Sequence, residues 1–301
     1  MSDLWTRKRR VLVRGLSTLY YEAGEGPAVL LIPGIASDAR NWFRVMGELA
    51  TTHRVIALSL PGLGGTSPGV DVHPVTMAAF VADFLDVLEV PSVIAVGHSF
   101  GGGVAAELAL DHPDRVSRLV LVNACGLGRA VHPIAIALAL LPKRGADALS
   151  GVVSFPGGAG ALALSSKLLL RQPWQIPPMT WKAQYVLARS RQSLRTSLEV
   201  FRACGGITGQ RESILVIDRL REITVPSLVI WGGTDPLFPV WQGRDASRRL
   251  PKGRFTVLLG AGHVSYLDNH EEFMDALGPF VRDDLPGAPT PEPANTGRDQ
   301  Q

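Results

Sequence analysis

Residues 93–103 read Val-Ile-Ala-Val-Gly-His-Ser-Phe-Gly-Gly-Gly, and this is the most informative stretch of the sequence. Its first four residues form an apolar run typical of a buried strand, and an Ala- and Leu-rich segment with helical spacing follows it. Between the two lies a Gly-x-Ser-x-Gly pattern centred on Ser99. A strand, a tight turn flanked by glycines and a helix together predict a nucleophile elbow, a turn that presents its serine as an attacking group.

The five-residue pattern by itself is weak, because it occurs a second time as Gly-Thr-Ser-Pro-Gly at residues 65–69. Ser67 in this second copy follows a glycine-rich loop instead of a strand, and Pro68 has no N–H to donate. After Ser99 comes Phe100, whose backbone N–H is free to stabilise an oxyanion. We therefore predict that Ser99 is a nucleophile, that Phe100 is an oxyanion donor and that Ser67 is an ordinary turn serine.

Apolar runs like the one before Ser99 recur along the chain and alternate with helix-like segments. This alternation predicts an α/β fold, in which a mostly parallel sheet of eight strands is flanked by helices. The first two runs, separated by Gly15, predict a hairpin. The predicted strands are Val11–Val13, Ser17–Tyr21, Val29–Ile32, Val55–Leu60, Val93–Val96, Leu119–Val122, Leu228–Trp231 and Phe255–Leu259, and the predicted helices among them are Asp38–Ala50, Val75–Leu88 and Phe100–Leu110.

The alternation stops after the sixth predicted strand. From Leu127 to Glu222 the chain is helix-like, has no strand pattern and is interrupted by prolines. We predict that residues 127–222 form a helical cap, and that residues 1–126 and 223–282 form the α/β core. Residues 283–301 are rich in proline and have Leu285 as their one large apolar residue, which predicts a disordered tail.

Composition excludes several classes of protein. The 301 residues are 46% hydrophobic and 19% charged, which is enough to bury a large core and excludes global disorder. A net charge of +3 without a Lys/Arg stripe argues against a nucleic-acid partner. The cysteines, Cys125 and Cys204, predict no disulfide framework or metal site, only buried thiols.

Targeting and membrane signals are also missing from the sequence. The most apolar stretch, Ile134–Leu141, has eight residues, whereas a spanning helix needs about 20. No apolar segment of a secretory signal follows the basic run near the N-terminus. We expect a soluble cytoplasmic protein with no membrane partner.

A serine hydroxyl becomes a good nucleophile when a histidine takes its proton and an acid orients that histidine. His263 follows the last predicted strand, at the sheet edge where α/β proteins build their sites, whereas His98 should point away from Ser99 and pack. Asp235 follows the last predicted strand but one. Asn123 follows the predicted strand before that one, but its uncharged amide stabilises an imidazolium less well than a carboxylate does. We predict a catalytic triad of Ser99, Asp235 and His263.

At these residues the chain resembles the α/β-hydrolase superfamily, and in particular its capped serine esterases and lipases. The resemblance extends over about residues 10–282. It implies the same eight-stranded sheet and a helical cap after the sixth strand. Three segments carry it in the family's order: Gly-His-Ser-Phe-Gly-Gly at residues 97–102, Trp-Gly-Gly-Thr-Asp at 231–235 and Gly-His-Val-Ser-Tyr-Leu-Asp at 262–268.

The resemblance also implies a second oxyanion donor. It marks Leu-Ile-Pro-Gly-Ile, residues 31–35, as the loop that supplies this donor, the N–H of Ile35. Many members have His-Gly in this loop, where the present chain has Pro33-Gly34. We expect this difference to change the hydrogen bonds within the loop but not the donor, the Ile35 N–H.

A serine at the elbow implies acyl-enzyme chemistry. We expect hydrolysis of a carboxylic ester, a lactone or a similar acyl bond in a small hydrophobic substrate, without a cofactor or a metal ion. Carbon–carbon bond hydrolases of ring-cleavage pathways are an alternative, although these often have Trp where Val264 follows His263. A ligand-sensing receptor and a non-hydrolytic biosynthetic enzyme are further alternatives on the same fold.

The predicted cap leaves two further questions open. Its arginines either hold a substrate carboxylate or form a solvated helix face, and its aromatic residues either line a pocket or pack in a core. The arginines are Arg189, Arg191 and Arg195, and the aromatic residues are Trp174, Trp181 and Tyr185.

Overall fold

The strands in the described part of the chain form one large sheet and one small ribbon. The computed structural model describes residues 7–151 and 155–282, so the tail predicted to be disordered lies outside the described residues. The strands are β1 (Lys8–Val13), β2 (Leu16–Ala23), β3 (Ala28–Ile32), β4 (Arg54–Leu58), β5 (Val93–His98), β6 (Val116–Val122), β7 (Gly205–Gly206), β8 (Gly209–Gln210), β9 (Ser227–Gly232) and β10 (Gly253–Leu258).

The large sheet has eight strands in the order β1-β2-β4-β3-β5-β6-β9-β10. The β1–β2 and β2–β4 pairs are antiparallel, and the five other pairs are parallel. The predictions of an opening hairpin and of a mostly parallel, eight-stranded sheet are confirmed. The predicted strand ends differ by up to three residues, since β1 begins at Lys8 within the basic run.

The central strands are apolar on both faces because helices cover both faces of the sheet. In β3, Leu30 and Ile32 belong to the core on one face, while Val29 and Leu31 belong to the core on the other face. All six residues of β5 are buried. The carboxyl end of β5 is therefore held firmly in the middle of the sheet.

The helices connect the strands and form most of the segment between β6 and β9. The predicted helix over 38–50 is divided, because Asp38 caps a 3-10 turn at Ala39–Trp42 before the first α-helix begins. The helices are α1 (Phe43–Leu49), α2 (Pro74–Val87), α3 (Phe100–Asp111), α4 (Pro133–Ala139), α5 (Lys143–Gly151), α6 (Gly158–Ser165), α7 (Pro178–Ala188), α8 (Arg191–Cys204), α9 (Val240–Arg249), α10 (Ser265–Asp268) and α11 (His270–Arg282).

The segment between β6 and β9 contains α4–α8, and we call residues 127–222 the inserted segment. The expectation that it has no strands is wrong at one place, where β7 pairs with β8 in a two-residue antiparallel ribbon. The Gln210 side chain fixes this ribbon, because it donates to the Gly128 carbonyl at 2.6 Å and accepts from the Gly126 N–H at 2.8 Å. A hairpin this short leaves no alternating pattern in the sequence.

Within residues 7–151 and 155–282, none of the helices has both the length and the apolar character needed to span a bilayer.

Candidate active site

Ser99 lies in the turn between β5 and α3, with a backbone φ of +53°. A non-glycine residue rarely adopts this left-handed region, so the surrounding bonds must hold it. The Ser99 N–H donates to the Val122 carbonyl at 2.9 Å, and the Ser99 carbonyl accepts from the N–H groups of Gly102 (2.9 Å) and Cys125 (3.0 Å). These bonds tie the turn to the helix after it and to the end of β6.

Two glycines of the turn allow the strand and the helix to approach each other closely. A Cβ atom at Gly97 would lie 2.2 Å from the Gly101 carbonyl oxygen, and one at Gly101 would lie 2.4 Å from the Pro33 carbonyl oxygen. Neither distance is sterically possible. The Gly-x-Ser-x-Gly spacing is therefore required here by packing, as the sequence context of Ser99 predicts.

His263 reaches Ser99 from the loop after β10. Its Nε2 lies 2.9 Å from the Ser99 Oγ, and its side chain is almost fully buried. The His263 backbone N–H donates to the carbonyl of Leu169 in the inserted segment at 3.0 Å. The loop that carries this histidine is thus held both by the sheet and by the inserted segment.

Asp235 lies on the other side of the same imidazole, in the loop after β9. Its two carboxylate oxygens are 3.1 and 3.0 Å from the His263 Nδ1. Its Oδ1 also accepts from the backbone N–H groups of Leu237 and Phe238, at 2.7 and 3.1 Å. The structure thus brings together the three side chains that the sequence predicts as a triad.

The carboxylate of Asp235 is held in its ionised form. Burial raises the pKa of this group. The nearby charge of His263 and the hydrogen bonds that the carboxylate accepts lower it by more, so the pKa of Asp235 lies below the ordinary value of an aspartate. An ionised acid at this position is able to stabilise a protonated imidazole.

Asn123 has a place in this network that the sequence reasoning missed. Its Nδ2 donates to the Asp235 Oδ2 at 2.7 Å, and its Oδ1 accepts from the Ser265 hydroxyl at 2.9 Å. Both Asn123 and Ser265 are fully buried. The sequence shows that Asn123 follows a strand, but only the sheet order shows that β6 lies next to β9, the strand before the Asp235 loop.

His98 has a packing role, as predicted. Its Nε2 lies 2.9 Å from the backbone carbonyl oxygen of His263, and its ring packs edge-on against Trp42 and Tyr266. Burial, and then the nearby charge of His263, lower the pKa of His98 to about 3. A neutral His98 therefore supports the loop of His263 without competing for the Ser99 proton.

The two expected oxyanion donors lie beside Ser99. Ile35 and Phe100 both line the cavity in front of the serine, and the described part of the chain offers neither N–H an acceptor. A Cβ atom at Gly34 would lie 3.0 Å from the Ser99 Cβ, which shows how closely this loop approaches the turn. The loop is tied to α8, because the Ala36 N–H donates to the Ser197 Oγ at 3.2 Å.

The cavity in front of Ser99 is mostly apolar. Of the three aromatic residues in question, Trp181 lines it, whereas Trp174 and Tyr185 are exposed. Cys125 is buried as expected, but Cys204 is only partly buried, and both line the cavity. Further apolar lining residues are Val131, Ala135, Leu169, Leu170, Ile176, Val200, Phe201, Leu237 and Phe238.

The three arginines of the inserted segment lie outside this cavity. Arg189, Arg191 and Arg195 are all exposed, and Arg195 forms an ion pair with Asp147 at 3.6 Å. These positions support the interpretation as a solvated helix face. Across residues 7–151 and 155–282, we also find no group of three or more His, Cys, Asp and Glu side chains that could hold a metal ion.

A mostly parallel sheet with a serine at a strand–helix turn, and with an acid and a histidine after later strands, defines the class of α/β hydrolases. The model of the Alpha/beta hydrolase family matches residues 29–276, and the chain belongs to this family.

Three comparisons illustrate the range of relatives. The chain is 30% identical to an uncharacterised protein of Mycobacterium tuberculosis (strain ATCC 25618 / H37Rv), over 89% of this chain and 79% of that protein. A thermophilic esterase from Thermogutta terrifontis has a similar structure, with a TM-score of 0.73 and 22% identity over 92% and 98% of the two chains. The 2-hydroxy-6-oxo-6-phenylhexa-2,4-dienoate hydrolase of Rhodococcus sp. strain RHA1 has a TM-score of 0.74 and 21% identity over 92% and 97%. At these identities the two structures share the fold with this chain.

Proposed function

We propose that this protein is a serine hydrolase that cleaves a carboxylic ester, a lactone or a similar acyl bond through an acyl-enzyme. One observation carries the proposal. A continuous chain of hydrogen-bond contacts joins the Ser99 Oγ to His263 at 2.9 Å and His263 to Asp235 at 3.0 Å. Such a chain lets a serine lose its proton as it attacks.

The first half of the reaction forms the acyl-enzyme. His263 accepts the Ser99 proton while the Oγ attacks the substrate carbonyl carbon. The backbone N–H groups of Ile35 and Phe100 then stabilise the negative oxygen of the tetrahedral intermediate. His263 gives its proton to the leaving alcohol oxygen, and the bond between that oxygen and the carbonyl carbon breaks.

The second half releases the acid. His263 takes a proton from a water molecule, which attacks the acyl-enzyme, and then returns a proton to the Ser99 Oγ. Asp235 stays ionised throughout and stabilises the imidazolium, which agrees with its lowered pKa. Asn123 holds the carboxylate in place through its hydrogen bond to the Asp235 Oδ2.

The cavity supports a neutral, largely apolar substrate. Apolar side chains dominate its lining, and among the described residues that line it there is no lysine or arginine. A carboxylate-bearing substrate would lose its hydration there without gaining a cation. This feature, together with Val264 after the catalytic histidine, favours ester or lactone cleavage over the alternative of carbon–carbon bond cleavage.

Intact-mass labelling with a fluorophosphonate tests the nucleophile. The wild-type protein should gain a single adduct, and the S99A variant should gain none, because the reagent reacts with an activated serine. A folded protein that gains no adduct, or an S99A variant that gains the same adduct, contradicts the proposal.

Turnover separates a hydrolase from a ligand sensor. Repeated release of p-nitrophenol from a short-chain ester by the wild type, and its absence in S99A, supports hydrolysis. A single burst without further turnover favours the sensor.

A further inference from the structure

Acidic and basic residues are unevenly distributed along this chain, although its net charge is small. Residues 148–198 contain six lysines and arginines and no aspartate or glutamate. The rest of the chain therefore holds 24 of the 30 cations and all 27 acids, so it carries a small negative charge. A single-sign segment of this kind gives one region of the protein a positive field.

The same segment exposes large apolar side chains. Leu164, Leu168 and Trp174 are 58%, 75% and 76% exposed. Lys167 and Arg171, which lie between them in sequence, are exposed as well. Exposed apolar residues that lie close together in one segment, unlike single scattered ones, are typical of an interaction surface.

Helix α7 connects this surface with the cavity. Its Trp181 and Gln184 line the cavity. The adjoining, exposed side of the helix presents residues at i, i+3, i+4 and i+7 spacing, which share one face. These four residues, all exposed, are Lys182, Tyr185, Val186 and Arg189.

Two contacts join the parts of this region. Helix α6 packs against α7. The Lys167 ammonium lies 5.0 Å from the centre of the Trp181 ring. We call the exposed side chains of residues 164–189 the basic–apolar face. It lies on the outer side of the wall whose inner side lines the cavity.

We propose that the basic–apolar face docks on an anionic lipid bilayer. Lysine and arginine attract acidic headgroups, while leucine and tryptophan enter the boundary between headgroups and acyl chains. This proposal replaces the expectation that the protein has no membrane partner. If the proposed function holds, docking also brings the cavity next to a store of apolar substrates.

Vesicle co-sedimentation tests the proposal with the full chain. The vesicles contain phosphatidylcholine alone, or phosphatidylcholine and phosphatidylglycerol in equal parts. We expect binding to the phosphatidylglycerol vesicles that weakens as salt is added. The double variant L168S/W174S should bind at least about tenfold more weakly, because it loses apolar insertion. The double variant K182Q/R189Q should lose about fivefold per cation removed.

Trp241 provides a matched control, since it is 55% exposed but lies on α9. The W241S variant should bind anionic vesicles as the wild type does. An equal loss in W241S, equal binding to both kinds of vesicle, or no binding to the anionic ones overturns the proposal. Capture of an acidic protein without vesicle binding overturns it as well.

The S99A variant keeps this test separate from the proposed function. It should bind vesicles like the wild type, although it should not hydrolyse esters. A protein that binds vesicles but has no esterase activity refutes the proposed function alone. A protein that has esterase activity but does not bind anionic vesicles refutes the proposed docking surface alone.

Discussion

The two Gly-x-Ser-x-Gly sequences of this chain adopt very different structures. Ser99 follows the central strand β5, has a left-handed backbone and lies within 2.9 Å of a histidine. Ser67 lies in the loop between β4 and α2, where its N–H donates to the Ser17 carbonyl at 3.0 Å and its carbonyl accepts from the Gly62 N–H at 3.2 Å. Both serines are fixed by backbone bonds, but only one faces a base.

This difference shows where the chemistry of the pattern originates. The glycines of the first copy permit a close strand–helix turn, and the partners of Ser99 come from the ends of β9 and β10, more than a hundred residues further along the chain. In the second copy Pro68 follows the serine, so no oxyanion donor is present there. The five residues thus provide a backbone shape, and the sheet order brings the histidine and the acid beside the serine.

The largest expected effect is at Ser99. The S99A variant should lose ~10⁴-fold or more in kcat for a short-chain p-nitrophenyl ester, because only binding and the oxyanion donors remain. H263A should lose about as much, and S99A/H263A should be little worse than either single variant. Losses that multiply, in variants with unchanged circular dichroism, would mean that the two residues do not act as one unit.

The next effect concerns Asp235. The D235N variant keeps the shape of the side chain but loses its charge and its control of the imidazole tautomer, so kcat should fall by ~10²–10⁴-fold. The fluorophosphonate reaction should slow in parallel, which provides a second readout. An unchanged kcat would show that His263 needs no ionised partner here.

A smaller effect is expected at Asn123. Removing its hydrogen bond to the Asp235 carboxylate in N123A should lower kcat about tenfold and change KM little, because a hydrogen bond to a charged group is lost behind the reacting atoms. Ser265 contacts Asn123 and not the carboxylate, so the S265A variant serves as a control and should lose less kcat than N123A. A larger loss in S265A than in N123A would contradict this order.

The sequence is sufficient to predict the triad because each member has a local signal. Ser99, Asp235 and His263 each follow an apolar run directly, and the carboxyl ends of parallel strands meet at one edge of the sheet. Asn123 has the same signal, but its role depends on the fact that β6 and β9 are neighbours. A strand order is a property of tertiary packing, so it has no local signal.

The cavity wall was harder to predict for a related reason. Trp181 and Tyr185 are four residues apart on α7 and so lie on neighbouring parts of one face, and periodicity therefore does not show that only Trp181 lines the cavity. The packing of α7 against α6, α8 and the 3-10 turn at Ala39–Trp42 decides that Trp181 lines the cavity. For the same reason, the sequence does not show whether the arginines of this region line a pocket or face the solvent. The orientation of their helix decides between these two alternatives.

The smallest expected effect belongs to Ser67, and it tests the comparison from the other side. The S67A variant should keep kcat within about twofold of the wild type, because Ser67 is held through its backbone and a surface substitution changes stability by about 0.5 kcal/mol or less. It should also gain the same single fluorophosphonate adduct. A large loss of kcat in a folded S67A variant would show that the second copy of the pattern takes part in the reaction, and the strand–helix context would no longer separate the two serines.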